Sequence, residues 1–217
     1  MIDKTTDKKS DPGFILTTLR GLFVFLWWLS LNFIVRKILT ISGAGSWLDR
    51  NEKRNAYRLV DGYVLAWLLF ELYLFTFSVI NPDYITASWF VWLVRILVSY
   101  RLFDIFQAWV NQFVLMPDWQ PVDPYRALVL VFIGYIEVIF SYALIALVFP
   151  HSFSGIFETG WQALYHSVTT AITIGSNSQP TIPSGYAIFC TQIMFSLLFV
   201  TAVIQRILGD IAARRNK

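Results

Sequence analysis

Charged residues are scarce in this chain of 217 residues: 14% are Asp, Glu, Lys or Arg, whereas 56% are hydrophobic. Soluble domains carry about 25% charged and about 45–50% apolar residues. The composition therefore excludes an intrinsically disordered chain and argues against a soluble enzyme. It predicts a polytopic membrane protein with one compact membrane domain.

Cysteine is almost absent, because Cys190 is the only one. An intramolecular disulfide is therefore impossible, and there is no C-x-x-C metal or redox site. The sequence also lacks His-x-x-x-His, a nucleophile-elbow glycine pair and clustered carboxylates in an exposed loop, so we expect neither an enzyme nor a cofactor. The net charge of +3 comes from basic residues at the edges of apolar runs. Membrane topology explains these residues without nucleic-acid binding.

Five apolar segments define the expected fold, at residues 14–39, 59–80, 88–115, 126–149 and 185–208. The second, fourth and fifth are long enough to cross a hydrocarbon core of roughly 30 Å. The third spans if its charges face protein rather than lipid. The uncharged part of the first gives roughly 22 Å of helix, so the sequence leaves open whether it spans or lies at the interface. We predict an all-α fold with four to five membrane helices.

Lysine and arginine are absent from residues 81–87 and 150–183, whereas the 36–58 loop and the C-terminal tail are rich in them. The positive-inside rule places the two basic regions in the cytoplasm and the two others outside. We therefore expect an integral protein of the cell membrane, in contact with its lipids, with a cytoplasmic C-terminus.

The stretch 151–183 is too short and too polar to be another span. Thr159 and Gln162 have the spacing of a capping box, and an apolar helix is predicted over residues 160–171. A short glycine-bearing segment follows, and non-helical backbone at membrane depth is tolerated only where protein buries it or water lines it. A short helix, an extended segment and a return to a long apolar helix are typical of a pore loop.

These residues resemble the pore module of the potassium-channel family. Thr170, Thr173 and Gly175 match three fixed positions of the family's filter signature, T-x-x-T-x-G-Y-G. Ser176 and Asn177 stand where the family has Tyr and Gly. The polar residues after Gly175 also resemble the filters of cyclic-nucleotide-gated cation channels, which discriminate poorly between sodium and potassium.

The resemblance covers residues 125–208 and implies a homotetramer around one axis. It implies a pore domain at 125–210, preceded by peripheral membrane helices at 13–124 and a polar tail at 1–12. The parts of the pore domain are then the outer helix 125–149, the pore helix 159–171, the filter 173–177 and the inner helix 184–208.

Carbonyl oxygens of Thr173, Ile174 and Gly175 can replace the water shell of a passing K⁺ or Na⁺. Ser176 and Asn177 are expected to modify selectivity, so we predict a cation channel with weak or unusual selectivity. Two alternatives stay open. One is a strictly potassium-selective channel, and the other is a non-conducting regulatory or anchor subunit with a degenerate filter.

Residues around the filter are assigned by position. Filter support is expected from Thr170, Tyr165 and His166. His166 is either a packed ring or a pH switch. The candidate pore-lining residues of the inner helix are Thr191, Met194, Leu198 and Thr201, although packing positions would show the same helical spacing.

Five charged residues fall inside predicted spans: Glu71, Arg95, Arg101, Asp104 and Glu137. Unpaired charge is costly at this depth, so we expect either glutamate to pair with either arginine, and Arg101 to pair with Asp104 along one helix face. The charges serve either a voltage- or proton-sensitive element or static contacts between helices. Static contacts are favoured, because a voltage sensor needs several arginines at three-residue spacing.

Overall fold

The computed structural model describes residues 52–110, 124–155, 157, 159–172, 174, 175 and 178–215. The described residues fold as helices and turns, and none of them forms a strand. The predicted all-α class is therefore confirmed. The polar tail 1–12 and the first apolar segment, 14–39, lie outside the described residues.

Five α-helices follow one another along the described chain, and we number them α1 to α5. They are α1 (Glu52–Ile80), α2 (Ser88–Val110), α3 (Pro124–Val148), α4 (Gly160–Ala171) and α5 (Pro183–Arg215). Short 3-10 turns at Pro82–Thr86 and Pro150–Ser152 begin with proline, which removes a helical donor and favours a helix start. Four of the five predicted apolar segments thus coincide with long helices.

Three of these helices are long and apolar enough to cross a membrane: Val60–Ile80, Tyr125–Val148 and Pro183–Gln205. The shortest of these spans, at 21 residues, gives about 32 Å of helix, which matches a hydrocarbon core. The described part of the chain therefore has the helices of a membrane protein. α2 is not among them, since it carries Arg95, Arg101 and Asp104. The total of four to five membrane helices stays a prediction.

α3 is the central helix, because it packs against α1, α2, α4 and α5. Its second half is buried from Ser141 to Val148. The surrounding core takes Phe75 from α1, Val94 from α2 and Phe195 from α5. In lipid, such a core is held by close packing and hydrogen bonds, because lipid tails are as apolar as the side chains.

Large apolar side chains cover the outside of the single chain. Leu69 on α1, Trp92 and Ile96 on α2, and Leu197 and Val200 on α5 are all about half exposed or more. Exposed apolar surface of this extent is covered by lipid or by another protein surface.

Candidate functional site: the loop between α3 and α5

The short helix α4 begins where the sequence predicts, directly after Thr159. The Thr159 hydroxyl accepts a hydrogen bond from the Gln162 amide, at 3.3 Å, and so caps the helix. Gly160 lies against α1 near its end: a Cβ atom there would lie 2.6 Å from Val79 Cγ2. α4 therefore starts at the end of the bundle where α1 and α3 finish.

From there α4 runs back alongside α3, toward the middle of the bundle. The Ser167 hydroxyl donates to the Ile139 carbonyl at 2.7 Å, and the Tyr135 hydroxyl donates to the Ala171 carbonyl at 2.8 Å. Tyr135 precedes Val148, the last residue of α3, by about 20 Å of helix. The C-terminal end of α4 therefore lies about halfway along α3.

The chain turns sharply after α4. The Thr169 carbonyl accepts hydrogen bonds from the amides of Ile174, at 3.0 Å, and Gly175, at 3.2 Å. Gly175 has φ +82°, in the left-handed region that favours glycine. Among the described residues, no backbone amide donates to the carbonyls of Ile174 or Gly175. Both amides thus face the end of α4, and both residues are exposed.

Both ends of the loop are tied together at the level where α3 ends. The Ser154 amide donates to the Gln179 carbonyl at 2.8 Å, and the Thr181 amide donates to the Ser152 carbonyl at 3.0 Å. Gly185, at the start of α5, packs against the same turn, and a Cβ atom on it would lie 2.1 Å from the Ser152 carbonyl oxygen. The segment between α4 and α5 is therefore held at its first end by hydrogen bonds to Thr169 and at its second end by hydrogen bonds with Ser152 and Ser154.

Neutral polar side chains join α4 to its neighbours. Gln192 of α5 donates through Nε2 to the Ser167 carbonyl, at 2.8 Å, and lies 2.9 Å from the Ser167 hydroxyl. Tyr135 of α3 stacks on Phe199 of α5, with ring centroids 3.9 Å apart and an interplanar angle of 7°. The end of α4 is thus connected to both long helices that flank the loop.

Of the five predicted filter residues, the structure describes two. Ile174 is 75% exposed, and Gly175 has nothing within 4 Å of the position of a Cβ atom. Thr173, Ser176 and Asn177 lie outside the described residues. The ion-binding role of the segment stays a prediction.

The predicted support residues occupy different surroundings. Thr170 is buried, and its hydroxyl has no hydrogen-bond partner among the described residues. Tyr165 is 67% exposed, so it makes little contact within its own chain. The His166 ring packs against Phe153 and Phe157, at centroid distances of 4.9 and 5.2 Å. Burial lowers the pKa of His166, which favours the neutral, packed ring.

Three of the four candidate pore-lining residues lie on the open face of α5. Thr191, Met194 and Thr201 are exposed, whereas Leu198 is half-buried and packs against the core. The Thr191 and Thr201 hydroxyls donate to carbonyls of their own helix, those of Ala187 and Leu197. This face is free to meet a neighbouring copy, lipid or a water-filled space.

Arg101 forms ion pairs with two of the buried carboxylates. Its Nε and Nη2 bind Glu137 Oε2 at 3.0 and 2.5 Å, and its Nη1 binds Asp104 Oδ2 at 2.8 Å. The sequence predicts both partners. The Tyr63 hydroxyl also donates to Asp104 Oδ2, at 2.9 Å. We call the set Tyr63, Glu71, Arg101, Asp104, Glu137 and Ser141 the buried charge cluster.

Glu71 is placed differently from the expectation, because no ion pair joins it to another described residue. It accepts a hydrogen bond from the Ser141 hydroxyl at 2.8 Å. Arg95 donates to the Val148 carbonyl at 3.0 Å, and its guanidinium lies 4.1 Å from the centroid of the Phe149 ring. The expected pairing of Arg95 with a glutamate is therefore wrong.

Sequence reasoning did not find Tyr135, Ser141, Ser167 and Gln192, which make the cross-helix hydrogen bonds. Gln192 carried a usable signal, since an amide inside an apolar span usually faces another helix. Ser141 lies one turn after Glu137, so it shares the face of a residue already identified. Tyr135 gave no signal that separates it from a tyrosine facing lipid.

Comparisons with protein-family models, with curated proteins and with solved structures find no match for this chain. Within the described residues no group of three or more His, Cys, Asp or Glu side chains could hold a metal ion. The geometry of the loop therefore carries the functional argument.

Proposed function

We propose that this chain is one subunit of a homotetrameric cation channel in the cell membrane, with a cytoplasmic C-terminus. Residues 125–210 form the pore domain, and residues 13–124 form peripheral helices. The segment 173–177 acts as the filter, and K⁺ and Na⁺ are the permeant ions.

The observation that carries the proposal is the position along α3 at which α4 ends. A helix that returns to the middle of the bundle directs its C-terminal carbonyls, which carry partial negative charge, toward the membrane interior. The Tyr135 hydrogen bond to Ala171 holds that end about halfway along an apolar helix long enough to span. A cation in the middle of a membrane gains from this arrangement, whereas an anion does not.

The backbone after α4 supports the same chemistry. Within the described part of the chain no amide donates to the carbonyls of Ile174 and Gly175, and these carbonyls are the ion ligands in this proposal. Carbonyl oxygens in a ring replace the water shell of a cation. Ser176 and Asn177 lack the aromatic ring and the glycine of the potassium-channel signature, so we propose weak discrimination between K⁺ and Na⁺.

One loop cannot surround an ion, so several copies must share an axis. The exposed side chains of Tyr165 on α4, and of Thr191, Met194 and Thr201 on α5, are available for that contact. The number four rests on the resemblance. α2 then also crosses the membrane, because its Arg101 and Asp104 are buried in protein rather than exposed to lipid.

The test is cation flux into vesicles that contain the purified full chain. We expect flux from the unaltered chain and none from Gly175→Asp, which places a side chain and a charge at a position with φ +82°. Thr86→Asp is the control: it adds the same charge at an exposed residue of the connector between α1 and α2, outside the membrane-spanning helices. It should leave flux unchanged.

Three results would count against the proposal. The first is no flux from a correctly folded oligomer, the second is equal flux from Gly175→Asp, and the third is a monomer in mild detergent. Bi-ionic reversal potentials in the same vesicles test selectivity, where a permeability ratio as large as that of a strict potassium channel contradicts the weak discrimination.

A further inference from the structure

The buried charge cluster lies away from the loop, between α1, α2 and α3, and its charges do not balance. Arg101 is its one cationic side chain, and it faces three carboxyl groups, those of Glu71, Asp104 and Glu137. The side chains of Glu71 and Glu137 are 0% exposed. Two carboxylates that are buried from solvent and share one cation repel each other strongly, because the local dielectric constant is low.

Each glutamate in the cluster also has one oxygen that makes no hydrogen bond with any residue that the structure describes. Glu71 uses Oε1 to accept from Ser141, and its Oε2 is buried without a partner. Glu137 uses Oε2 to accept from Arg101, and its Oε1 is buried without a partner. A buried acceptor without a donor is costly, so each oxygen needs an explanation.

The two glutamates face the same strip of the α1–α3 interface. Ser141, which binds Glu71, lies one helical turn after Glu137 on α3, and residues at this spacing lie on one face. The carboxyl group of Glu71 is therefore within about a turn of the carboxyl group of Glu137. A proton on one of the two unsatisfied oxygens turns that acceptor into a donor and removes one negative charge.

We propose that the α1–α3 interface is a proton-binding site, in which the Glu71 carboxyl group carries a proton and donates it toward Glu137 Oε1. The proton removes one of the buried negative charges and turns the orphaned oxygen of Glu71 from an acceptor into a donor. The site does not depend on the channel proposal, because it is built entirely from α1, α2 and α3.

The groups that face the pair from each packed helix are consistent with this assignment. From α2, Arg101 is committed to Glu137 and Asp104. From α1, the Tyr63 hydroxyl donates to Asp104. From α3, Ser141 has one hydroxyl proton, which it gives to Glu71 Oε1. Arg95 of α2 is bound at the Val148 carbonyl, and α4 reaches α1 through the apolar contact of Gly160 with Phe75 and Val79.

The experiment is infrared spectroscopy of the purified full chain at neutral pH. A protonated carboxyl group has a carbonyl stretching band apart from the bands of ionised carboxylates. We expect that band in the unaltered chain and its loss in Glu71→Gln. The amide that this substitution introduces can still accept from Ser141 and donate to Glu137, so the variant should fold. Asp83→Asn, at an exposed acid in the connector between α1 and α2, is the control that should leave the band unchanged.

A second measurement is thermal unfolding over the neutral to alkaline range. The unfolded chain releases the proton, so the stability of the unaltered chain should fall as pH rises, and Glu71→Gln should show a smaller fall. Equal pH dependence in the two proteins would overturn the proposal. So would a band that survives in Glu71→Gln, or a missing band in a chain whose stability instead depends on the Na⁺ or K⁺ concentration, which would indicate a bound metal cation.

Discussion

The two sides of α3 are held by different polar chemistry. On the side of α1 and α2, charged groups meet, with Arg101 between Glu137 and Asp104. On the side of α4 and α5, neutral groups meet, and Gln192, Ser167 and Tyr135 donate to or accept from carbonyls and hydroxyls. One helix therefore separates a charged interface from a neutral one.

This difference in polar chemistry is consistent with the function proposed for each side of α3. A buried charge binds its counter-ion in a fixed place, and removing either partner leaves a costly bare charge. A conducting path needs oxygens that bind an ion weakly enough to release it. Neutral hydrogen bonds can position backbone carbonyls without adding a charge that would trap the ion.

The largest effect should come from breaking the charged side. Arg101→Met leaves Glu137 and Asp104 buried without their cation, and should lower the free energy of unfolding by about 3–5 kcal/mol. Arg126→Met is the control, because the Arg126–Asp61 pair is partly exposed, with side-chain exposures of 28% and 45%. Its loss should be worth at most about 1 kcal/mol. Thermal or denaturant unfolding in detergent measures both, and equal losses would mean that burial does not set the strength of the ion pairs on the charged side.

An intermediate effect is expected from a methyl group on the neutral side. Gly185→Ala places Cβ against the Ser152 carbonyl oxygen, which cannot move freely because it accepts from the Thr181 amide. Overpacking of this kind costs about 1–3 kcal/mol.

The control for that substitution is Gly62→Ala on α1, where a Cβ meets nothing within 4 Å. Because alanine is the better helix former by about 1 kcal/mol, this variant should be as stable as the unaltered chain or more stable. If Gly185→Ala unfolds at the same temperature as Gly62→Ala, the junction between the loop and α5 is not tightly packed.

Much of the helical framework could be predicted from the sequence, because hydropathy and helix caps are local signals. Runs of apolar residues predicted α1, α3 and α5, and Thr159 predicted the start of α4. The cost of an unpaired charge in lipid was enough to predict that Arg101 would meet carboxylates.

The partners of Glu71 and Arg95 could not be predicted, because they depend on how each helix is rotated about its axis. That rotation brings Glu71 into contact with Ser141 instead of an arginine. It brings Arg95 into contact with the Val148 carbonyl and the Phe149 ring. Local sequence does not encode it. The hydrogen bond from Tyr135 to Ala171 was missed for the same reason, since a tyrosine in an apolar helix has the same local pattern whether it faces lipid or another helix.

The smallest expected change in stability comes from the test of the hydrogen bond between Tyr135 and Ala171. Tyr135→Phe removes the hydroxyl that donates to Ala171 but keeps the ring on Phe199, and should cost about 0.5–1.5 kcal/mol. Phe199→Leu removes the stack and keeps the hydroxyl. If the Tyr135 hydroxyl positions the end of α4, Tyr135→Phe should change the K⁺/Na⁺ permeability ratio at unchanged expression. Phe199→Leu should lower stability and should change that ratio less than Tyr135→Phe does. Identical effects on the ratio would mean that Tyr135 acts on the end of α4 only through packing. The neutral side would then differ from the charged side only in the strength of its interactions.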